Sequence, residues 1–143
     1  MTKQEQNYLE WVPQACKEAN DQRKENGEST TISIAEGVIA LHVAQWWAEK
    51  VCNPTFDMDV CGGFAAALAE KLSRTIDENA NDCFIKKVTK HLLVKLPRIL
   101  SCDYHPDTFF EEALGENFPE FEMNFPWKAY MTINWSTGEI KSY

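Results

Sequence analysis

Ser33-Ile34-Ala35-Glu36-Gly37-Val38-Ile39-Ala40-Leu41-His42-Val43-Ala44-Gln45-Trp46-Trp47-Ala48-Glu49-Lys50-Val51 is the stretch that decides the fold. A serine followed three residues later by glutamate forms a capping box: the hydroxyl accepts an orphan backbone N–H, and the carboxylate returns to the serine N–H. A helix therefore begins there. From Ala35 to Val51 it is apolar over more than half its circumference, including Val38, Ile39, Leu41, Val43, Trp46 and Trp47. A helix apolar nearly all round needs other elements on most sides. The stretch over 34–51 is thus predicted to be the central helix, with His42 and Trp46 sharing one face at a spacing of four.

Upstream, residues 4–25 place Tyr8, Leu9, Val12, Cys16 and Ala19 on one stripe at helical spacing. Pro13 predicts a kink or a late start in that helix, and Gly27 is placed to stop it. Downstream, Asn53-Pro54-Thr55 breaks the chain, and Asp57 or Asp59 caps a third helix through Phe64, Leu68, Leu72 and Ile76. Asp82 is predicted to cap a fourth helix that carries Phe84, Ile85, Val88, Leu92 and Leu96 inward, until Pro97 ends or kinks it. A short fifth helix fits Pro106 at its first position, with Phe109, Phe110 and Leu114 packing and Gly115 as stop.

The tail then changes period. Residues 127–135 alternate, Ser136-Thr137-Gly138 makes a turn, and the run to Tyr143 returns, so 127–143 reads as a β-hairpin. A bare hairpin is marginal in water. Its Ala129, Met131, Ile133 and Trp135 face must therefore lie on the helices, or its edge must pair with another chain. The fold class that follows is α+β, mainly α: about five helices around the apolar helix 34–51, with a C-terminal β-hairpin over 127–143. At 143 residues the chain has the length of one globular domain, spanning 1–143.

Composition narrows the function classes. Apolar residues at 44% and charged residues at 25% are ordinary globular values and argue against disorder. No apolar run is long enough to cross a bilayer, and Met1-Thr2-Lys3-Gln4-Glu5 lacks the apolar core of a secretory leader, which predicts a cytoplasmic protein. Cys16, Cys52, Cys61, Cys83 and Cys102 are odd in number and dispersed, which predicts reduced, mostly buried thiols. His42, His91 and His105 are equally scattered, so neither a metal nor a cofactor is predicted.

The net charge of -8 opposes direct binding of nucleic acid or an anionic membrane. Its distribution says more: residues 1–82 carry -7, residues 83–98 carry +5, residues 99–127 carry -7 and the tail +1. The basic block is Lys86, Lys87, Lys90, Lys95 and Arg98. Asp103, Asp107, Glu111, Glu112, Glu116, Glu120 and Glu122 follow it, with no Lys or Arg from Ile99 through Trp127. Aromatic residues are interleaved with those carboxylates, most densely in Phe118-Pro119-Glu120-Phe121-Glu122-Met123-Asn124-Phe125-Pro126-Trp127.

Asp59-Val60-Cys61-Gly62-Gly63-Phe64-Ala65-Ala66-Ala67-Leu68 sets a cysteine and two glycines before an Ala-rich helix, where the helix N-terminus would favour a thiolate. These ten residues resemble the nucleophile region of papain-like cysteine hydrolases. The resemblance implies Cys61 as nucleophile, with a downstream histidine on a strand as base; the predicted hairpin contains no histidine, and the glycines and alanines equally suit close helix packing. No P-loop, dinucleotide-binding or zincin motif is present, so catalysis is the alternative reading.

The leading expectation is a non-catalytic protein-binding module that inhibits or regulates a partner with a basic, nucleic-acid-handling surface. Its predicted contact residues are Asp103, Asp107, Glu111, Glu112, Glu116, Glu120, Phe121, Glu122, Phe125 and Trp127, aromatic anchors rimmed by charge. In size and charge alone the chain is similar to acidic phage-encoded inhibitors of restriction or CRISPR systems and to acidic toxin-immunity proteins. A homodimer joined at the hairpin edge is the third reading. The leading one fails if the basic block 86–98 neutralises the acidic block within the fold.

Overall fold

The computed structural model describes residues 2–52 and 78–143. In chain order these form α1 (Lys3–Glu25), α2 (Ile34–Cys52), α3 (Glu78–Lys95), β1 (Ile99–Asp103), β2 (His105–Pro106) and α4 (Thr108–Leu114). Two 3-10 turns (Gly115–Asn117 and Glu122–Asn124) flank a single helical turn, α5 (Phe118–Phe121), before β3 (Lys128–Ile133) and β4 (Ile140–Ser142). The mainly helical α+β class holds. The predicted helix through Phe64 and Ile76 lies outside the described residues.

The capping box forms at the start of α2. The Glu36 N–H donates to Ser33 Oγ at 3.2 Å, and the Ser33 N–H donates to Glu36 Oε1 at 3.1 Å. Beyond it Ala40, Leu41, Val43, Ala44, Trp47, Ala48 and Val51 are buried, with α1 and α3 packed on α2. Gly37 sets the closeness of α1: a Cβ there would lie 2.5 Å from Cys16 Sγ and 2.6 Å from Val12 Cγ1. The late start that Pro13 allowed does not occur, because the helix begins ten residues before it. Thr2 Oγ caps α1 by accepting the Glu5 N–H, and the proline sits inside the helix on its exposed side.

Two polar links, one buried and one half-buried, tie α1 to α3. Arg23, only 5% exposed, donates from Nη1 to the Val94 carbonyl at 2.9 Å and from Nη2 to Thr30 Oγ1 at 2.7 Å. The Tyr8 hydroxyl donates to Asp82 Oδ1 at 2.8 Å. Burial, then the Asp82 carboxylate, pushes the phenol pKa well up, so Tyr8 stays a donor. Asp82 therefore does not cap α3. Glu78, one turn earlier, is already helical, and the carboxylate is used for tertiary contact with α1 instead.

Pro97 ends α3 as predicted, with Leu96 in the left-handed region at φ 47°. The chain between Pro97 and α4 is not a plain connection: Ile99–Asp103 forms a strand beside β3. The sheet order is β2-β1-β3-β4, all antiparallel, so the expected hairpin is the outer half of a larger sheet. A third strand meets the backbone hydrogen bonds that a hairpin alone would leave to water. Leu100, Cys102, Met131 and Ile133 face inward, and Trp135 Nε1 donates to the Pro97 carbonyl at 2.8 Å, fixing the sheet to the end of α3. Buried residues of α1, α2, α3, α4, α5 and the sheet form one cluster.

Candidate protein-binding surface

The acidic block begins at the sheet. Asp103 ends β1 opposite Lys128, and Tyr104 turns the chain at φ 61° into β2. Asp107, rather than Pro106, starts α4: its carboxylate accepts the Phe109 N–H at 3.0 Å, while Pro106 pairs with Cys102 in the sheet. This cap uses Asp107 structurally and leaves it half-buried. Phe109, Phe110 and Leu114 face the core, which turns Glu111 and Glu112 outward. Gly115, at φ 54°, stops the helix.

From there the chain advances in short turns that repeat the same division. Phe118, Phe121, Asn124 and Phe125 are buried, whereas Glu116, Glu120 and Glu122 are exposed. Two predicted anchors are thereby corrected. Phe121 is 0% exposed with its ring 5.2 Å edge-on to Phe84, and Phe125 packs on Phe110 at 4.8 Å and on Trp47 at 6.4 Å. Each aromatic ring carries about 150–250 Å² of mostly apolar area, so covering it outweighs leaving it free for a partner. Of the three predicted anchors only Trp127 is at the surface, 59% exposed.

Counter-charges decide whether the carboxylates are free. Lys86 lies 3.4 Å from Asp82 on its own helix, and Lys90 lies 2.8 Å from Glu18 on α1. Lys87 crosses to the acidic segment but donates to the neutral Asn117 Oδ1 at 2.6 Å. Among the described residues the contact of the basic block with a carboxylate of the acidic block is His91 Nε2 to Glu112 Oε2 at 3.2 Å, an ion pair only when the imidazole is protonated. Desolvation holds His91 below its ordinary pKa, with Glu112 opposing that shift, and its ring lies tilted against Phe109 with centroids 4.9 Å apart. Among the described residues Asp103, Glu111, Glu116, Glu120 and Glu122 form no ion pair with the basic block. The contact between α3 and α4 runs through His91 and Phe109, and the acidic face survives it.

Sequence reasoning missed a second group of exposed side chains. Tyr104, Tyr130 and Tyr143 are 73%, 39% and 77% exposed. The signal was available in the alternation of β3, since turning Met131 and Ile133 inward puts Tyr130 on the other face. Tyr104 and Tyr143 needed the pairing of β1 and β4 to be known.

Cys16, Cys52 and Cys102 are buried free thiols; burial pushes Cys52 up to about 12, and burial with the nearby Asp103 pushes Cys102 up to about 11. Such thiols are poor nucleophiles. Cys61, Asp57 and Asp59 lie outside the described residues. Among those described, no group of three His, Cys, Asp or Glu is placed to hold a metal ion, and no helix is long and apolar enough to cross a membrane. No protein-family model, curated protein or solved structure matches the chain.

Proposed function

We propose that the chain is a cytoplasmic, non-catalytic binding protein that inhibits or regulates a partner by covering that partner's basic surface. The observation that supports this reading is the exposed run Asp103, Glu111, Glu112, Glu116, Glu120 and Glu122, fixed on buried aromatics and met by one imidazole from the basic block. Because the backbone that carries these carboxylates is already ordered, association has side chains rather than a whole segment to fix, and their field raises the rate of encounter with a cationic surface. Trp127, at the end of the segment, supplies an amphipathic anchor. A partner groove built to hold phosphates would bind these carboxylates in their place, the mode of action of acidic inhibitors of nucleic-acid-handling proteins. The chain's own charge of -8 leaves nucleic acid and anionic membranes outside its targets.

Replacing Glu111, Glu112, Glu116, Glu120 and Glu122 together by Gln removes five charges from side chains that are all exposed. Affinity capture with wild type and variant, at low and at high salt, tests the reading. One basic protein retained by wild type at low salt, and lost at high salt or with the variant, is the expected result. Equal retention by both proteins at both salt concentrations overturns it.

A further inference from the structure

We infer that the outward face of the C-terminal sheet binds a second copy of this chain, face to face. Strand pairing places Ile99, Ser101, Asp103 and His105 on that face with Lys128, Tyr130 and Thr132 of β3 and Lys141 and Tyr143 beside β3. The Tyr130 and Tyr143 rings pair at 5.9 Å, and Lys128 Nζ stands 5.5 Å over the Tyr104 ring. The Tyr104 N–H donates to the Trp127 carbonyl at 2.7 Å, which ties the turn after β1 to the start of β3. Of the large apolar side chains exposed among the described residues, Ile99, Tyr104, Tyr130 and Tyr143 are on this strip.

Area and charge select the occupant. With about 200 Å² per ring, the exposed fractions of the three tyrosines leave on the order of 380 Å² uncovered, nearly half of the roughly 800 Å² per partner that a specific interface buries. Two copies of a chain with charge -8 repel over most of their surfaces. The sheet face carries Lys128 and Lys141 against Asp103, so like chains can approach there with least repulsion. Asp103 and Lys128 are directly opposite across β1 and β3, and a two-fold contact can set each sign against the opposite sign of the second copy.

The free edge of β4 is the poorer route. Lys141 is the middle residue of that three-residue strand, and antiparallel pairing of two copies about its centre would put the two lysines together. Edge lysines of this kind discourage strand addition. A face-to-face contact takes up only Asp103 of the acidic run and leaves Glu111, Glu112 and Glu120 outside the dimer interface, because they lie on α4 and α5 rather than on the sheet.

Sedimentation equilibrium of the full chain from about 5 to 500 µM tests the inference, with far-ultraviolet circular dichroism confirming the fold of each variant. Wild type is expected to reach dimer mass within that range, and the Tyr130→Ser/Tyr143→Ser double variant to shift the midpoint at least tenfold upward. Ser142→Pro removes an N–H that points away from β3, because Tyr130 and Tyr143 exchange both backbone hydrogen bonds and the pattern alternates. It is expected to leave the midpoint unchanged. Monomer mass throughout overturns the inference, as does a dimer that survives the tyrosine changes or is lost in Ser142→Pro. If the double variant does not fold, wild-type Tyr104 and Tyr143 labelling by tetranitromethane decides: protection that rises with concentration supports the face, and constant labelling refutes it.

Discussion

Replacing Phe121 by Ala distinguishes a core aromatic from a partner anchor. The ring is fully buried, with Phe84 edge-on at 5.2 Å. Removing about 150 Å² of buried apolar area at about 25 cal/mol per Å² loses roughly 4 kcal/mol, and the cavity left behind keeps the total in the range of about 3–5 kcal/mol. At roughly 4 °C per kcal/mol for a domain of this length, Tm falls by about 12–20 °C. Trp127→Ala, by contrast, removes a side chain that is 59% exposed and is expected to change stability by less than about 1 kcal/mol. Urea denaturation followed by tryptophan fluorescence measures the first variant, and circular dichroism, which does not depend on Trp127, measures both. A Phe121→Ala protein within about 1 kcal/mol of wild type would refute the core placement and restore Phe121 to the candidate surface.

Three further outcomes follow from the helices. Gly37→Ala gains about 1 kcal/mol of helix propensity, yet its Cβ would stand 2.5 Å from Cys16 Sγ and 2.6 Å from Val12 Cγ1, and overpacking of about 1–3 kcal/mol lowers net stability; a cycle with Cys16→Ala should recover part of the loss and leave the part due to Val12, and a more stable single variant would contradict the close approach. Ser33→Ala removes the acceptor for the Glu36 N–H and should cost about 1 kcal/mol by chemical denaturation, with no change showing that the capping box contributes nothing. His91 is held below its ordinary value of 6.5 chiefly by desolvation, so the unfolded chain binds the proton more readily. Stability from this group is therefore full above about pH 6.5 and declines as pH falls toward the lowered folded value. NMR titration should find the His91 pKa below 6.5 and lower still in Glu112→Gln, and a value above 6.5 would reverse the sign.

Local signals were legible wherever one residue type performs one local task. Ser33 and Glu36 mark a helix start that is realised atom for atom, and Gly115 marks a stop, because caps and left-handed turns depend only on neighbouring residues. Asp82 and Pro106 misled for a shared reason. Each suits a helix start by type, but Tyr8 claims the first and the β1–β2 pairing claims the second. Strand β1 was missed because five residues between Pro97 and Pro106 offer barely two alternations, and what makes them a strand is β3, some 25–30 residues later. The same limit governs the surface. The carboxylates could be read as exposed from charge alone, but whether Phe121 and Phe125 pointed inward depended on Phe84 and Trp47 being present to receive them.

The central claim, that the acidic segment is the contact surface, is tested most directly by carboxyl footprinting of the captured complex. Carbodiimide-coupled glycine ethyl ester labels Glu111, Glu112, Glu116, Glu120 and Glu122 in the free protein, since all five are exposed. In the complex these five are predicted to be protected, while Glu10 and Glu25 on the exposed side of α1 remain labelled. Protection at α1 with full labelling of the five would contradict the account.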